Sequence, residues 1–484
     1  MASPSERGGG LVLAASSAAL SAVAFYIGTG LHPQWWAAWL APVPPLLYAY
    51  RSKAVAACLV AFTAYAAGST NLLLYFRVLE LPIAIRILAL TGPSVVFALG
   101  ILLSRTLFLR RQYFLAIVAL PTVWVSFEYL NSLGANGTAL NLAYSQMNFL
   151  PILQLASVTG IWGISFAIFF FASALAVIVA APNTNRRFIA AGSIAILSAV
   201  FAFGFARLQA SPDSARVVIG LAATDHRPLL ASREEDASAI VSWYSSEIER
   251  LAEKGAKVVV VPEKIGPITD ALDGPTLSAF SEAARRNAVM VVVGVDRKDE
   301  PLKHNLAFVF GPDGSLQTSY EKHFMVPRWE DGYERGARIG VLAEPHQGWA
   351  VAICKDMDFP SFTREYARSG VQLMLVPAWD FTVDDWLHSR MAVLRGVEGG
   401  FAIARSAKQG QMTISDNRGR ILAEEHSSDS GASIIGSLSP GSEETIYARL
   451  GDWFAWVNLA ILISLIATLF RRRDSLKNQG PQAG

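Results

Sequence analysis

"VAICKDMDFP", residues 351–360, places Cys354, one of only two cysteines in the chain, at the end of a short apolar run and directly before a lysine and two acids. An apolar run of this length, bounded by polar residues, reads as a buried strand that delivers a thiol to its end. Working outward, "ARVVIGLAA" (215–223), "KVVVVPE" (257–263), "VMVVVGVD" (289–296) and "VQLMLVPAW" (371–379) have the same form. Between them lie helical patterns, "DASAIVSWYSSEIERLAEKG", "PTLSAFSEAARRNA" and "DDWLHSRMAVLRGVEGG". Strand–helix alternation predicts a covered α/β sheet. "LAFVFGPDGSLQTSYEKH" predicts a hairpin instead, with Asp313-Gly314 supplying the positive φ of its turn.

The rest of the chain is of another kind. Of 484 residues, 52% are hydrophobic and only 17% charged, and mean hydropathy is +0.35. This composition is that of a membrane protein. Stretches at about 10–28, 36–50, 54–76, 82–104, 113–130, 152–181 and 188–206 predict seven spans, and "WFAWVNLAILISLIATLF" (453–470) an eighth. The second and fifth are short and contain proline. A cleaved signal peptide is the competing reading of the first span, given the small residues of "AASSAALSA". Arg7 alone makes a thin charged region, and six further spans follow at once.

Cations fall in alternate loops: Arg51 and Lys53, then Arg105, Arg110 and Arg111, then Arg186 and Arg187, and finally Arg471, Arg472, Arg473 and Lys477. The other loops are poorer, and residues 131–151 carry no charge. By the positive-inside rule both termini are cytoplasmic and the α/β segment extracytoplasmic. The expected domains are residues 1–208 (membrane), 209–448 (catalytic) and 449–484 (last span and basic tail). A formal charge of +2, from 41 Lys and Arg against 39 Asp and Glu, argues against a nucleic-acid partner. Two cysteines exclude a disulfide scaffold and an all-thiolate zinc site.

Three strand ends carry reactive groups: Glu263, Lys322 and Cys354. A carboxylate can take the thiol proton and an ammonium can favour the developing charge, so that the thiolate attacks a carbonyl carbon. Singly, a buried cysteine is ordinarily an inert core residue and a Glu or Lys at a loop a solvated charge. Their order, each at a strand end, points to a nucleophilic site. "VPEKIGP", "YEKHFMVPRWE" and "ICKDMDFP" resemble the three motifs of the nitrilase superfamily, whose Glu-Lys-Cys triad sits on an αββα sandwich. Flanked by seven spans and an eighth, the domain resembles the bacterial apolipoprotein N-acyltransferases. "VWVSFEYL", "LAYSQMNFLPILQLASVTGIWGISF" and "TIYARLGDWFAWVNL" look like that family's membrane segments.

The resemblance implies Glu263 as general base, Lys322 as oxyanion-stabilising cation and Cys354 as nucleophile. It implies Glu330 as a second essential carboxylate and Asn305 as a supporting amide, against their plain readings as a surface acid and a turn residue. Glu128, Tyr144 and Gln146 match membrane-part positions that face the catalytic domain, although Glu128 could simply snorkel. No metal or diffusible cofactor is implied. The implied reaction takes an acyl chain from a phospholipid, holds it as a thioester and passes it to the amine of a diacylglyceryl-cysteine lipoprotein, or in a divergent paralogue to a related amine, in the inner membrane, by ping-pong kinetics. A membrane-tethered amidase and an inactive lipoprotein-binding scaffold are the alternatives.

The sequence departs from the family pattern in four places. Val261 replaces the usual tryptophan. Lys355-Asp356 follows the nucleophile in place of Tyr-Glu, setting an extra cation beside the thiol that could lower its pKa. Arg328 to Asp331 replaces Phe-Gly-Glu-Tyr. Lys322 and Cys354 are only 32 positions apart, so the arm over the cleft is short. Trp386 and His388 could touch substrate, although packing of an amphipathic helix explains them as well.

Overall fold

A computed structural model describes residues 4–209, 215–226, 236–269, 273–299, 302–343, 346, 348–441 and 443–477. The end of the expected basic tail, 478–484, lies outside the described residues. Among the described residues the catalytic part holds thirteen strands: β1 (Val217–Ala223), β2 (Val258–Val260), β3 (Gly266–Ile268), β4 (Met290–Asp299), β5 (Leu302–Phe310), β6 (Leu316–Glu321), β7 (Gly340–Val341), β8 (Trp349–Val351), β9 (Leu373–Trp379), β10 (Ala402–Lys408), β11 (Gln411–Ser415), β12 (Ile421–His426) and β13 (Ala432–Leu438). One sheet runs β13-β1-β2-β4-β5-β6 with β3 beside β4, and the other β12-β11-β10-β9-β8-β7.

The period-2 alternation of strand side chains builds three layers from these runs. Val258, Val260, Met290 and Val292 face the second sheet and meet Leu373, Leu375, Ala402 and Ala404. Val259, Val261, Val291 and Val293 point the other way, onto Ile240, Tyr244, Ile248 and Phe280 of the helices Ala237–Glu253 and Asp273–Asn287. The second sheet is covered by the helices Pro360–Arg368 and Asp385–Gly399, giving an αββα sandwich. The expected hairpin is β5 and β6, with Gly314 at φ 81°.

In the membrane part, six helices among the described residues are long and apolar enough to span: Gly10–Gly28, Ala54–Val78, Ile83–Leu109, Tyr113–Ser132, Trp162–Ala180 and Asn185–Gln209. A further apolar helix, Trp453–Lys477, stands where the eighth span is expected. The second expected span is not one helix. It breaks into Trp35–Leu40 and Val43–Ala49 around Pro42, Pro44 and Pro45, which cannot continue a backbone ladder. Fifteen residues of helix would reach only about 22 Å, short of the hydrocarbon layer. The broken segment survives because it is buried in protein, with Ala37, Ala38, Ala41, Leu46 and Ala49 inaccessible. The sixth is shorter than expected: single turns at Leu150–Leu153 and Ala156–Thr159 precede the helix, which starts at Trp162. Gly160 makes the break at φ 65°, where a Cβ would lie 2.5 Å from the Tyr447 ring.

The Asp385–Gly399 helix joins the two parts. Ala392 belongs to the sandwich core, while Leu387, Met391, Val393, Leu394 and Val397 belong to the membrane-domain core. A helix apolar on most of its circumference is buried between two bodies. Each such side chain contributes on the order of 1.5–3 kcal/mol of burial.

Candidate active site

Glu263 lies three residues beyond the end of β2. Its N–H donates to Ala378 O at 3.3 Å, and Pro262 O accepts from Gly294 N at 3.2 Å. The loop can lie so close to β4 only because position 294 is glycine; a Cβ there would be 2.5 Å from Glu263 Cα. Lys322 follows β6 directly, and its N–H donates to Asn305 O on β5 at 2.9 Å. Glu330 sits on a turn of the arm, with its N–H donating to Val326 O and its Oε2 accepting from Val326 N.

These side chains meet. Lys322 Nζ donates to Glu263 Oε1 and to Glu330 Oε2, both at 2.8 Å. Asn305 Nδ2 bridges the two carboxylates at 2.5 and 2.8 Å. Lys264, which the sequence reading did not single out, donates to Glu330 Oε1 at 2.7 Å and lies 4.1 Å from the Tyr333 ring centroid. Burial works against the charge on Lys322, but Glu263 and Glu330 hold its pKa well above the ordinary lysine value. Burial likewise opposes ionisation of Glu330, yet Lys322 and Lys264 draw it down to about 2.

Cys354 opens a short 3-10 turn, Cys354–Asp358, just after β8. Its φ of 43° is unusual for a residue with a side chain and marks a strained turn. The thiol is buried and its described hydrogen bond goes to Trp379 O at 3.5 Å. Its pKa is pushed well up by burial and by the Glu263 charge, and Lys322 and Arg405 oppose that rise. A protonated thiol at rest requires a base at the moment of attack.

Asp356 staples this turn to the lysine. Its Oδ2 accepts from Ile353 N at 3.0 Å and Tyr320 OH at 2.6 Å, and its Oδ1 accepts from His323 N and Phe324 N at 3.1 and 2.9 Å. Asp356 is thus a positioning group. Lys355 turns away to Asp358 at 3.3 Å and to the Phe359 ring. The cation it was expected to bring to the thiol comes instead from Arg405 on β10, which forms a two-pronged ion pair with Asp380 at 2.9 and 2.5 Å. Next to Asp380, His388 lies 3.5 Å from its carboxylate and 3.4 Å from that of Asp384. His388 is therefore packed among acids, and Trp386 faces the Arg390 guanidinium and His32. The signals for Arg405 and for Lys408 were single cations inside the apolar strand "AIARSAK".

Glu128, Tyr144 and Gln146 do not join this cluster. Glu128 Oε1 accepts from Leu142 N at 2.8 Å. Gln146 Oε1 accepts from Trp39 Nε1 at 2.7 Å and its Nε2 donates to Trp35 O, holding the broken segment. Tyr144 OH is 2.7 Å from Thr138 Oγ1 and accepts from Arg395 of the catalytic domain at 3.3 Å. All three fasten the loop that carries Thr138 against Asp358 O, four residues beyond Cys354.

Two family models match. The apolipoprotein N-acyltransferase N-terminal domain covers residues 17–174 and the carbon-nitrogen hydrolase domain residues 221–450. The apolipoprotein N-acyltransferase of Geobacter metallireducens is 26% identical over 74% of this chain and 75% of its own. That of Bradyrhizobium diazoefficiens is 26% identical over 79% and 78%. The chain is similar to the apolipoprotein N-acyltransferases in both its membrane part and its catalytic part. An amidase from Nesterenkonia sp. is similar over 50% of this chain and 96% of its own, at 19% identity and a TM-score of 0.41. As in the family's domain plan, the nitrilase-like sandwich of this acyltransferase is carried on a bundle of apolar helices.

Proposed function

We propose that Cys354 carries a fatty acyl group from a membrane phospholipid to the N-terminal amine of a diacylglyceryl-cysteine lipoprotein. Glu263 takes the thiol proton as Sγ bonds to the ester carbonyl carbon, and the tetrahedral oxyanion develops beside the Lys322 ammonium. Collapse breaks the ester C–O bond. The alkoxide recovers the proton from Glu263 and leaves as lysophospholipid. The acceptor amine then attacks the thioester and gives its proton to Glu263, and the departing thiolate recovers that proton from Glu263, which restores the resting thiol. The two half-reactions use one site in turn, which is ping-pong kinetics.

The observation that carries this reading is the Lys322 ammonium held between two carboxylates within the electrostatic reach of a strained, buried thiol. The names of the relatives supply the acceptor class. The membrane setting supplies the donor, since both substrates keep their tails in lipid and only headgroups must reach the site. The cation-rich loops at residues 51–53, 105–111 and 186–187 lie at the helix ends opposite the catalytic domain, which supports an extracytoplasmic site and cytoplasmic termini in a bacterial inner membrane. The bond from Arg328 Nη1 to Glu80 O sets the short arm against the membrane part, while Trp329, exposed, packs on Phe381 of the catalytic domain.

The test is intact-mass measurement after incubation with phosphatidylethanolamine. An acyl-sized increment is expected on the wild-type protein, absent from Cys354→Ala, and discharged onto a diacylated lipopeptide. Discharge only as free fatty acid would make the protein a hydrolase, and no increment at all would overturn acyl transfer.

A further inference from the structure

We infer that Lys264 is a positioning residue of this site: by pinning Glu330 as an anion it divides the two carboxylates around Lys322 into a fixed counter-charge and a working base. The inference rests on the Cys354 chemistry proposed above. Its grounds are the unequal surroundings of the two acids. Glu330 accepts from four donors: Lys322 Nζ and Asn305 Nδ2 at 2.8 Å, Lys264 Nζ at 2.7 Å and Val326 N at 2.8 Å. Among the described residues, Glu263 receives side-chain donors from Lys322 and Asn305, and both fall on Oε1.

The two lysines and two glutamates balance in charge. Without Lys264, two carboxylates would compete for one buried ammonium, and like charges so placed cannot both stay ionised easily. A proton shared by the pair would leave Glu263 a poorer acceptor for the thiol proton.

Lys264 is itself built in. It is buried, and its backbone holds φ 53°, a conformation side-chain-bearing residues rarely take. Its carbonyl accepts from Lys408 Nζ on β10 at 3.0 Å, and Lys408 in turn lies over the Trp379 ring at 3.7 Å. Its ammonium rests over Tyr333, whose OH donates to Asp296 on β4 at 2.8 Å. The groups facing the Lys264–Glu330 pair are therefore Lys322, Glu263, Asn305 and Tyr333, with Asp296 and Lys408 behind them. Burial pushes Lys408 down to about 7, so its charge is not constant over the working range, and Lys264 is the cation beyond Lys322 that touches Glu330 directly.

The experiment compares wild type, Lys264→Met and Lys264→Arg in the full chain, by two rates read against pH. The first is acylation of Cys354 by phosphatidylethanolamine. The second is alkylation of Cys354 by iodoacetamide, followed by peptide mass, which needs no lipid. Lys264→Met is expected to move the acid limb of both profiles up by about one pH unit and to lower the maximal acylation rate roughly tenfold with little change in KM. Lys264→Arg is expected to restore the limb. Profiles of Lys264→Met that superimpose on wild type, or a loss equal at every pH that Lys264→Arg does not repair, would overturn the inference. A wild type that alkylates with the expected shift but never acylates would sink acyl transfer while leaving the role of Lys264 standing.

Discussion

At the scale of single residues, the site depends on an acid that does not touch the reacting atoms. Asp356 is fully buried and accepts four hydrogen bonds from two separate segments, the Cys354 turn and the chain on either side of Lys322. Burial pushes its carboxyl up to about 6. Asp356→Asn keeps the volume but replaces one accepting oxygen by an N–H₂ group, which must face a backbone N–H or the tyrosine hydroxyl. A buried donor left unmatched costs about 1–3 kcal/mol, so a lowered melting temperature in detergent is expected. Because the same bonds set the distance from Cys354 to Lys322, acylation should fall by more than tenfold, and a variant that melts earlier yet acylates at the wild-type rate would contradict this account. The sequence offered Asp356 only as a neighbour of the thiol, because the four donors come from residues up to 36 positions away.

At the scale of elements, the Asp385–Gly399 helix owes part of its seating to His388. Burial works against the imidazolium, but the carboxylates of Asp384 and Asp380 more than offset it and hold the pKa up at about 9. Arg405 faces the same Asp380 carboxylate from β10. The folded pKa lies above the unfolded value of about 6.5. The stabilisation is therefore fully present below about pH 6.5 and is lost as the pH climbs through about 9. His388→Asn is expected to cost about 2–3 kcal/mol at pH 6, and the deficit should close as melting is repeated toward pH 10. A deficit independent of pH would mean that only the packing of the ring matters. The amphipathic pattern of "DDWLHSRMAVLRGVEGG" made this helix legible, but not its burial on two sides, since no period in the sequence says that a second body will cover the outer face.

At the scale of the whole molecule, β1, β2, β4, β8, β9 and the β5–β6 hairpin were legible as short apolar runs, whereas the short β3 and β7 and the exposed β12 give no such signal, and Glu263, Lys322 and Cys354 were legible because each follows such a run. The spans were legible except where proline or glycine interrupts apolar composition: hydropathy sums over residues 36–50 without registering that Pro42, Pro44 and Pro45 stop the ladder. Least legible was the joint between the two parts, which depends on pairs far apart in sequence. At its centre, Arg395 forms a buried ion pair with Glu398 at 2.7 Å and donates to Tyr144 OH, while Glu398 Oε1 accepts from Ile161 N at 2.7 Å. Burial pushes the Glu398 carboxyl up to about 7 despite the guanidinium. Arg395→Met would leave that carboxylate buried and uncompensated, a loss of about 3–5 kcal/mol when it is charged. Below about pH 7 wild type and variant both hold the proton, but above it only the variant, its folded pKa raised further, still holds a proton that the unfolded chain releases, so its stability falls away from wild type as pH rises past about 7. The variant should therefore melt close to wild type at pH 5 and below it at pH 8, with the gap still widening at pH 9. The double variant Arg395→Met, Glu398→Gln should recover most of the difference at pH 8, because no charge then remains to be neutralised. If the double variant is as unstable as the single one, the joint is held by the shape of Arg395 against Tyr144 and not by its charge.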